Sequence, residues 1–307
     1  MLAIFLETVP FFALIGLGYG AARRGFFSET ATAALTKFVF FFALSAMLFR
    51  FSASLTITEI FDARLASAYL LGTLAVYGIA TAVAFARRQD LQTAAIEAQT
   101  AAIGNAGFLG LPMLSLLYGD AAVPSIILML TIDLVVFATL LVVLVAGARE
   151  GRISAQIFRS VALGLLRNPM IMSISAGLAV SALGLPVPHV MSEFVTLLGN
   201  AATPCALFAI GASLASKSAE RLAVAGWLSF AKLVLHPLCV AAAVFLIFPV
   251  TPFQAAVAIS AAAMPVAGNV FMMAQHYGIA PQRVSAAILI STALSIVTLS
   301  TIIGLVR

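Results

Sequence analysis

An all-α polytopic membrane protein of ten transmembrane helices is the fold class this sequence predicts, on three observations. Hydrophobic residues make up 63% of the chain and charged residues only 9%, with a mean hydropathy of +1.15. A soluble domain has about a quarter of its residues charged, so this chain cannot cover a water-facing surface. Apolar runs of about 20 residues, the length that crosses a bilayer as a helix, follow one another with short polar breaks. The two halves of the chain also match in one gap-free register that pairs five spans with five.

The ten spans fall at 2–22, 31–51, 63–86, 91–118, 122–147, 168–184, 190–216, 222–248, 252–277 and 281–306. The first starts apolar at once, with no basic leader or Ala-x-Ala cleavage site, and is expected to be retained. The run Phe38 to Phe42 in the second reads as packing or lipid-facing surface, as does Met272-Met273 in the ninth. Arg149 to Arg167 is the longest polar piece and is expected to lie along the interface as a short amphipathic helix. Nothing long enough for a soluble domain remains. Cys205 and Cys239 both lie within apolar segments, so neither a disulfide nor a metal site is expected.

Lys and Arg set the orientation. Arg23, Arg24, Lys37, Arg87, Arg88, Arg149, Arg152, Arg159, Arg167, Lys217, Arg221 and Arg283 belong to one side. Only Arg50, Arg64 and Arg307 belong to the other, and Lys232 falls within a span. The richer side is expected to be cytoplasmic, which puts both termini outside. The basic residues form no patch, so no nucleic-acid partner is expected. Pro10 and Pro169, Gly18 and Gly177, Gly25 and Gly184, Leu48-Phe49 and Leu207-Phe208, and Tyr118-Gly119 and Tyr277-Gly278 are all 159 positions apart. Repeat one then covers 1–147 and repeat two 168–307, joined by a cytoplasmic linker at 148–167. Five crossings leave the second repeat inverted, which is a transporter signature. The competing reading is a chance register in a low-complexity apolar chain.

Span 4 contains the stretch GNAGFLGLP, Gly104 to Pro112, and its repeat partner contains AMPVAGNVF, Ala263 to Phe271. Proline removes a backbone donor and glycine tolerates the dihedrals left over. Backbone freed at membrane depth survives only where protein, water or a ligand satisfies it. Matched breaks in an inverted repeat mark a binding site, against the plainer reading of two packing kinks. Half-helix N-termini at the breaks suit a carboxylate, and the carbonyl ends with amide oxygens suit a cation. The substrate-binding candidates are Gly104, Asn105, Gly107, Pro112, Pro265, Gly268 and Asn269. No catalytic or metal-ligating residue is assigned.

These stretches, with Asn168-Pro169 and Thr203-Pro204-Cys205-Ala206-Leu207-Phe208, resemble the auxin efflux carrier family over essentially the whole chain. That family includes bacterial malate and malonate permease-like carriers and the plant PIN auxin exporters. The resemblance implies a fold like that of bile acid:sodium symporters. In it a core of spans 3–5 and 8–10, with crossed helices 4 and 9, moves against a panel of spans 1, 2, 6 and 7. It also implies that Asn105 contacts the substrate carboxylate, and it brings in a homodimer as a partner. The family's span-2 proline is replaced by Ser45, which puts a kink there in doubt, whereas Pro204 keeps it in span 7. The long loop of many plant members is absent, so a prokaryotic inner-membrane carrier is expected.

Ionisable residues at membrane depth are functional candidates by default. Asp133 and Lys232 sit about ten residues into their spans, near mid-depth at ~1.5 Å per residue. One reading pairs them as an ion pair; the other has Asp133 titrating during transport or Lys232 holding the anion. His236 follows Lys232 by one turn on the same face. Glu97, near Gln99 and Thr100, is a candidate for the inner vestibule or a coupling ion, with an interhelical hydrogen bond as the plainer reading. Gln275 is a candidate to point into the cavity. Glu7, Glu193, His189 and His276 are expected to be solvated.

The function expected is secondary active transport of small organic anions, such as malate, malonate or auxin-like acids, by elevator-type alternating access. No cofactor is expected. The chain has no G-x-x-x-x-G-K-[ST] motif, and a proton or the membrane potential is preferred to Na+ as the coupling source. An anion channel using the same crossover is the alternative. An intramembrane enzyme would need a nucleophile–base pair, paired aspartates or H-E-x-x-H, which the sequence does not offer, and a sensor would need a soluble output module.

Overall fold

The computed structural model describes residues 2–150, 155–216 and 222–306, with side chains omitted at 2–4 and 150. Arg152, Lys217, Arg221 and Arg307, four of the charges used for orientation, lie outside the described residues. The described chain is helical, and its sole extended pairing is an isolated bridge between Gly104 and Val266.

In chain order the helices are α1 (Leu2–Arg23), α2 (Glu29–Ala53), α3 (Ala63–Ala86), α4 (Leu91–Ala102), α5 (Ala106–Tyr118) and α6 (Asp120–Arg149). After the linker come α7 (Ala155–Arg167), α8 (Pro169–Ala182), α9 (His189–Leu214), α10 (Leu222–Ile247), α11 (Pro252–Ala262), α12 (Gly268–Tyr277) and α13 (Pro281–Val306). Seven of these are long and apolar enough to cross a membrane, and α7 with α8, bent by 68°, makes an eighth. The expected spans 91–118 and 252–277 are each split into two short helices, α4/α5 and α11/α12. Neither half reaches the length of a full span.

Local chemistry sets the starts. Asp62 caps α3 by accepting from the Arg64 and Leu65 amides, and Asp90 caps α4 through the Thr93 amide. Asn168 caps α8 ahead of Pro169, and Thr251 with Gln254 forms a capping box on α11 ahead of Pro252. The register pairs Gly25/Gly184 and Gly119/Gly278 all have positive φ, between 60° and 79°, where a side chain would be strained.

Small residues let helices touch backbone to backbone. A Cβ on Gly18 of α1 would lie 2.1 Å from the Phe208 carbonyl oxygen of α9, and one on Gly177 of α8 would lie 2.7 Å from that of Phe49 on α2. Gly18/Gly177 and Phe49/Phe208 are register pairs, so the same contact is made twice. Helices α1, α2, α8 and α9 pack on one another, while α3, α4, α6, α10, α11 and α13 form a second group. The groups meet where α1 lies on α13 and α9 on α5. Outward faces are apolar, with Leu246 80% and Leu197 78% exposed, a surface suited to lipid.

Five π-helical turns interrupt the described helices, and two of them begin at or beside the ionisable residues Asp133 and Lys232. Such turns often mark functional positions. In α2 a π turn over Val39–Ala43 supplies the irregularity that Ser45 had put in doubt. The Ser45 hydroxyl donates to the Phe40 carbonyl at 3.0 Å, satisfying an acceptor within that widened turn.

Candidate functional site

Helix α4 ends at Ala102, the chain runs extended through Ile103, and α5 starts at Ala106 with a π turn. On the other strand of the crossing, α11 ends at Ala262 and α12 starts at Gly268. The breaks meet as a short antiparallel ladder. The Asn105 amide donates to the Pro265 carbonyl at 2.8 Å, the Ala267 amide donates to the Ile103 carbonyl at 3.1 Å, and Gly104 faces Val266.

Several other freed backbone groups are satisfied by protein. The Val266 amide donates to the Ser291 hydroxyl of α13 at 3.1 Å. The carbonyl of Ala262, at the negative end of the α11 half-helix, accepts from Lys232 Nζ. The Asn105 carbonyl takes the Gly110 amide at 2.9 Å, which closes the π turn ahead of Pro112. Protein groups thus meet the demand that made an internal break costly.

Three side-chain amides are left over, one of them Gln99 of α4, whose Oε1 is buried without a donor. Asn105 is 8% exposed, and its side chain does not cap the turn it precedes. The Asn269 Oδ1 is buried without a donor in the first turn of α12. Beside it Gly268 is exposed and borders open space. Gly107 faces the other packing group, since a Cβ there would meet Met170 of α8 at 2.8 Å and Leu44 of α2 at 3.8 Å. Phe40 of α2 stacks on Phe108 of α5 at 6.4 Å, across the same boundary.

Behind the crossing lies a buried polar cluster. Lys232, His236 and Thr73 are all 0% exposed, Tyr69 1% and Asp133 4%. Lys232 Nζ donates to His236 Nδ1 at 2.9 Å. His236 Nε2, which then carries the ring hydrogen, donates to the Thr73 hydroxyl at 3.0 Å. The Tyr69 hydroxyl donates to Asp133, 3.1 Å from Oδ1 and 3.2 Å from Oδ2. The direct Asp133–Lys232 ion pair is not among the salt bridges of the described residues. Tyrosine occupies the carboxylate, and a carbonyl and an imidazole occupy the ammonium. A Cβ on Gly104 would lie 3.0 Å from Lys232 Nζ, so this glycine lets the lysine tip reach the crossing.

Glu97 and Gln275 are not brought to the crossing. The Glu97 carboxylate, 1% exposed, is clamped by Arg87 and, at 2.6 Å, by Arg283, which also donates to Gln89. It ties the end of α3 and the start of α13 to α4, the interhelical role read as the plainer one. Gln275 is exposed at the far end of α12. His189 and Glu193 form an exposed pair at 3.6 Å. Sequence reasoning missed Tyr69, Thr73 and Ser291. The repeat register held a signal for α3, because Thr73 and Tyr77 stand 159 positions before Lys232 and His236.

Residues 3–303 match the family model described as a membrane transport protein. The chain is 32% identical to a Rhizobium meliloti protein named "Putative malonate transporter", over 98% of this chain and 95% of that one. It is 26% identical to the Escherichia coli K12 protein named "Uncharacterized transporter YfdV", over 78% of this chain and 77% of the relative. Helices able to cross a membrane, a protein-satisfied crossover and a family match over nearly every residue agree: the chain is an integral membrane protein that belongs to the membrane transport protein family, that of the auxin efflux carriers.

Proposed function

We propose that the protein is a secondary active transporter of small organic anions whose carboxylate binds where the two broken helices cross. The observation that carries this reading is the Asn105 side-chain amide. It sits 8% exposed at the start of the α5 half-helix, while the backbone around it is satisfied by protein. Its NH₂ group and the N-terminal ends of α5 and α12 all favour an anion. Gly104, Gly107, Pro112 and Pro265 shape the backbone, and Gly268 and Asn269 open the second half-helix towards the ligand. The name of the Rhizobium relative supports a dicarboxylate such as malonate; malate and auxin-like acids share its chemistry.

The crossed pairs α4/α5 and α11/α12 each count as one span, giving ten in two inverted repeats of five. The duplicated contact, Gly18 on Phe208 and Gly177 on Phe49, supports that symmetry. Alternating access then moves the group holding α3–α6 and α10–α13 past a panel of α1, α2, α8 and α9. Both termini face the periplasm from the inner membrane, a homodimer forms through the panel, and a proton couples transport in preference to Na+. In proteoliposomes, Asn105→Ala is expected to weaken uptake of labelled malonate about ten- to a hundredfold, the loss of one hydrogen bond to a charged group. Unchanged affinity and rate would place the anion elsewhere.

A further inference from the structure

We infer that Lys232 is the group that couples anion binding to proton uptake, acting as a tethered cation that gains its proton when the substrate anion enters the crossover. The inference rests on the carboxylate reading above and adds to it the residue that balances the charge.

The placement is specific. Nζ reaches the carbonyl at the end of α11, at the negative end of a half-helix. It also passes beside Gly104, the residue next to Asn105. Its hydrogen-bond partners, the Ala262 carbonyl and His236 Nδ1, are both neutral acceptors. An ammonium buried at 0% exposure without a contacting anion is costly. Asp133 is the nearest carboxylate in the cluster but makes no direct pair with Nζ, and an anion at Asn105 adds a negative charge on the crossing side of it. Binding of the anion and protonation of Nζ therefore favour each other, and the favour is reciprocal.

The titratable groups facing Lys232 from the elements around it leave this assignment intact. Tyr69 and Tyr77 stand on α3, Asp133 on α6, His236 on the same helix and Glu97 on α4. Helix α11 has none, and α13 has only Arg283. Glu97 is neutralised by Arg87 and Arg283, whereas Asp133 accepts from the neutral Tyr69 hydroxyl, keeps its charge and makes no salt bridge to Nζ. The proton comes from solvent and enters the Nζ lone pair, and no substrate bond is made or broken. With a monoanion such as indole-3-acetate this proton leaves the loaded core with no net gain of charge; with a dianion such as malonate one negative charge is gained.

Calorimetry of the purified protein tests this, with malonate, malate and indole-3-acetate titrated near neutral pH in two buffers of different ionisation heat. The expected result is uptake of about one proton per anion bound. Lys232→Arg, which keeps a permanent cation, is expected to bind with no proton taken up. Binding without proton uptake by the unaltered protein overturns the coupling and leaves the carboxylate site standing. Proton uptake that persists in Lys232→Arg also overturns it. Failure of all three acids to bind overturns the site and the coupling together. Should the arginine variant fail to fold, Lys232→Gln, which has no titrating Nζ, is expected to bind without proton uptake, and uptake that persists there overturns the assignment.

Discussion

Two glycines of helix α1 should answer oppositely to the same substitution. In α1, Gly16 has nothing within 4 Å of a built Cβ, whereas Gly18 has the Phe208 carbonyl oxygen at 2.1 Å and the Ala212 amide at 3.0 Å. Alanine at Gly16 keeps every contact and gains helix propensity, up to about 1 kcal/mol. Alanine at Gly18 must push α9 away by about 0.9 Å before the contact reaches the 3.0 Å that real Cβ atoms respect. A gap of 0.5–1 Å forfeits about a quarter to a half of each dispersion contact. Both partners here are backbone, which no rotamer change can move aside. Overpacking of this kind costs about 1–3 kcal/mol, and because the propensity gain is common to both substitutions the two variants should differ by roughly 1–3 kcal/mol. Thermal unfolding in detergent, followed by fluorescence of the single tryptophan, Trp227, gives the comparison. Equal midpoints for Gly16→Ala and Gly18→Ala would refute the close α1–α9 contact and the packing argument built on it.

Three further outcomes follow from the same geometry. Glu97→Gln leaves Arg87 and Arg283 facing each other without a carboxylate; a loss of about 2–3 kcal/mol is expected, below that for a fully buried pair because Arg87 is 30% exposed. The fall in unfolding midpoint, set against an Arg283→Gln double-mutant cycle, measures it. Ser291→Ala leaves the buried Val266 amide without an acceptor and should cost about 1–3 kcal/mol, while Ser295→Ala, whose hydroxyl only returns to its own helix, should cost less. The Thr93 amide holds the Asp90 carboxyl below the usual carboxylate range. Its contribution is therefore full above the ordinary value of about 3.9 and is lost as pH falls through the lowered one. A midpoint-against-pH curve should flatten at its acid end in Asp90→Asn, which caps without titrating.

The sequence by itself determined the membrane class, most of the long apolar helices and the location of both breaks. Those features are local, since hydropathy, Pro-Gly-Asn chemistry and caps such as Asn168 and Thr251 act within one or two turns. The 159-residue register is also readable from one chain, and its pair Gly18 and Gly177 make like contacts in the structure. Tertiary structure alone decided the partners. Sequence left Asp133 and Lys232 open as an ion pair or as transport groups, and in the structure one accepts from Tyr69 and the other donates to Ala262 and His236. Sequence left Glu97 between a vestibule carboxylate and an interhelical bond, and packing makes it an interhelical clamp on two arginines. A buried charge takes whichever partner the packing of distant helices brings within about 3 Å. That choice depends on helix rotation and on π turns such as those at Asp133 and Ala231, which shift side chains around the axis without leaving a mark in composition or period.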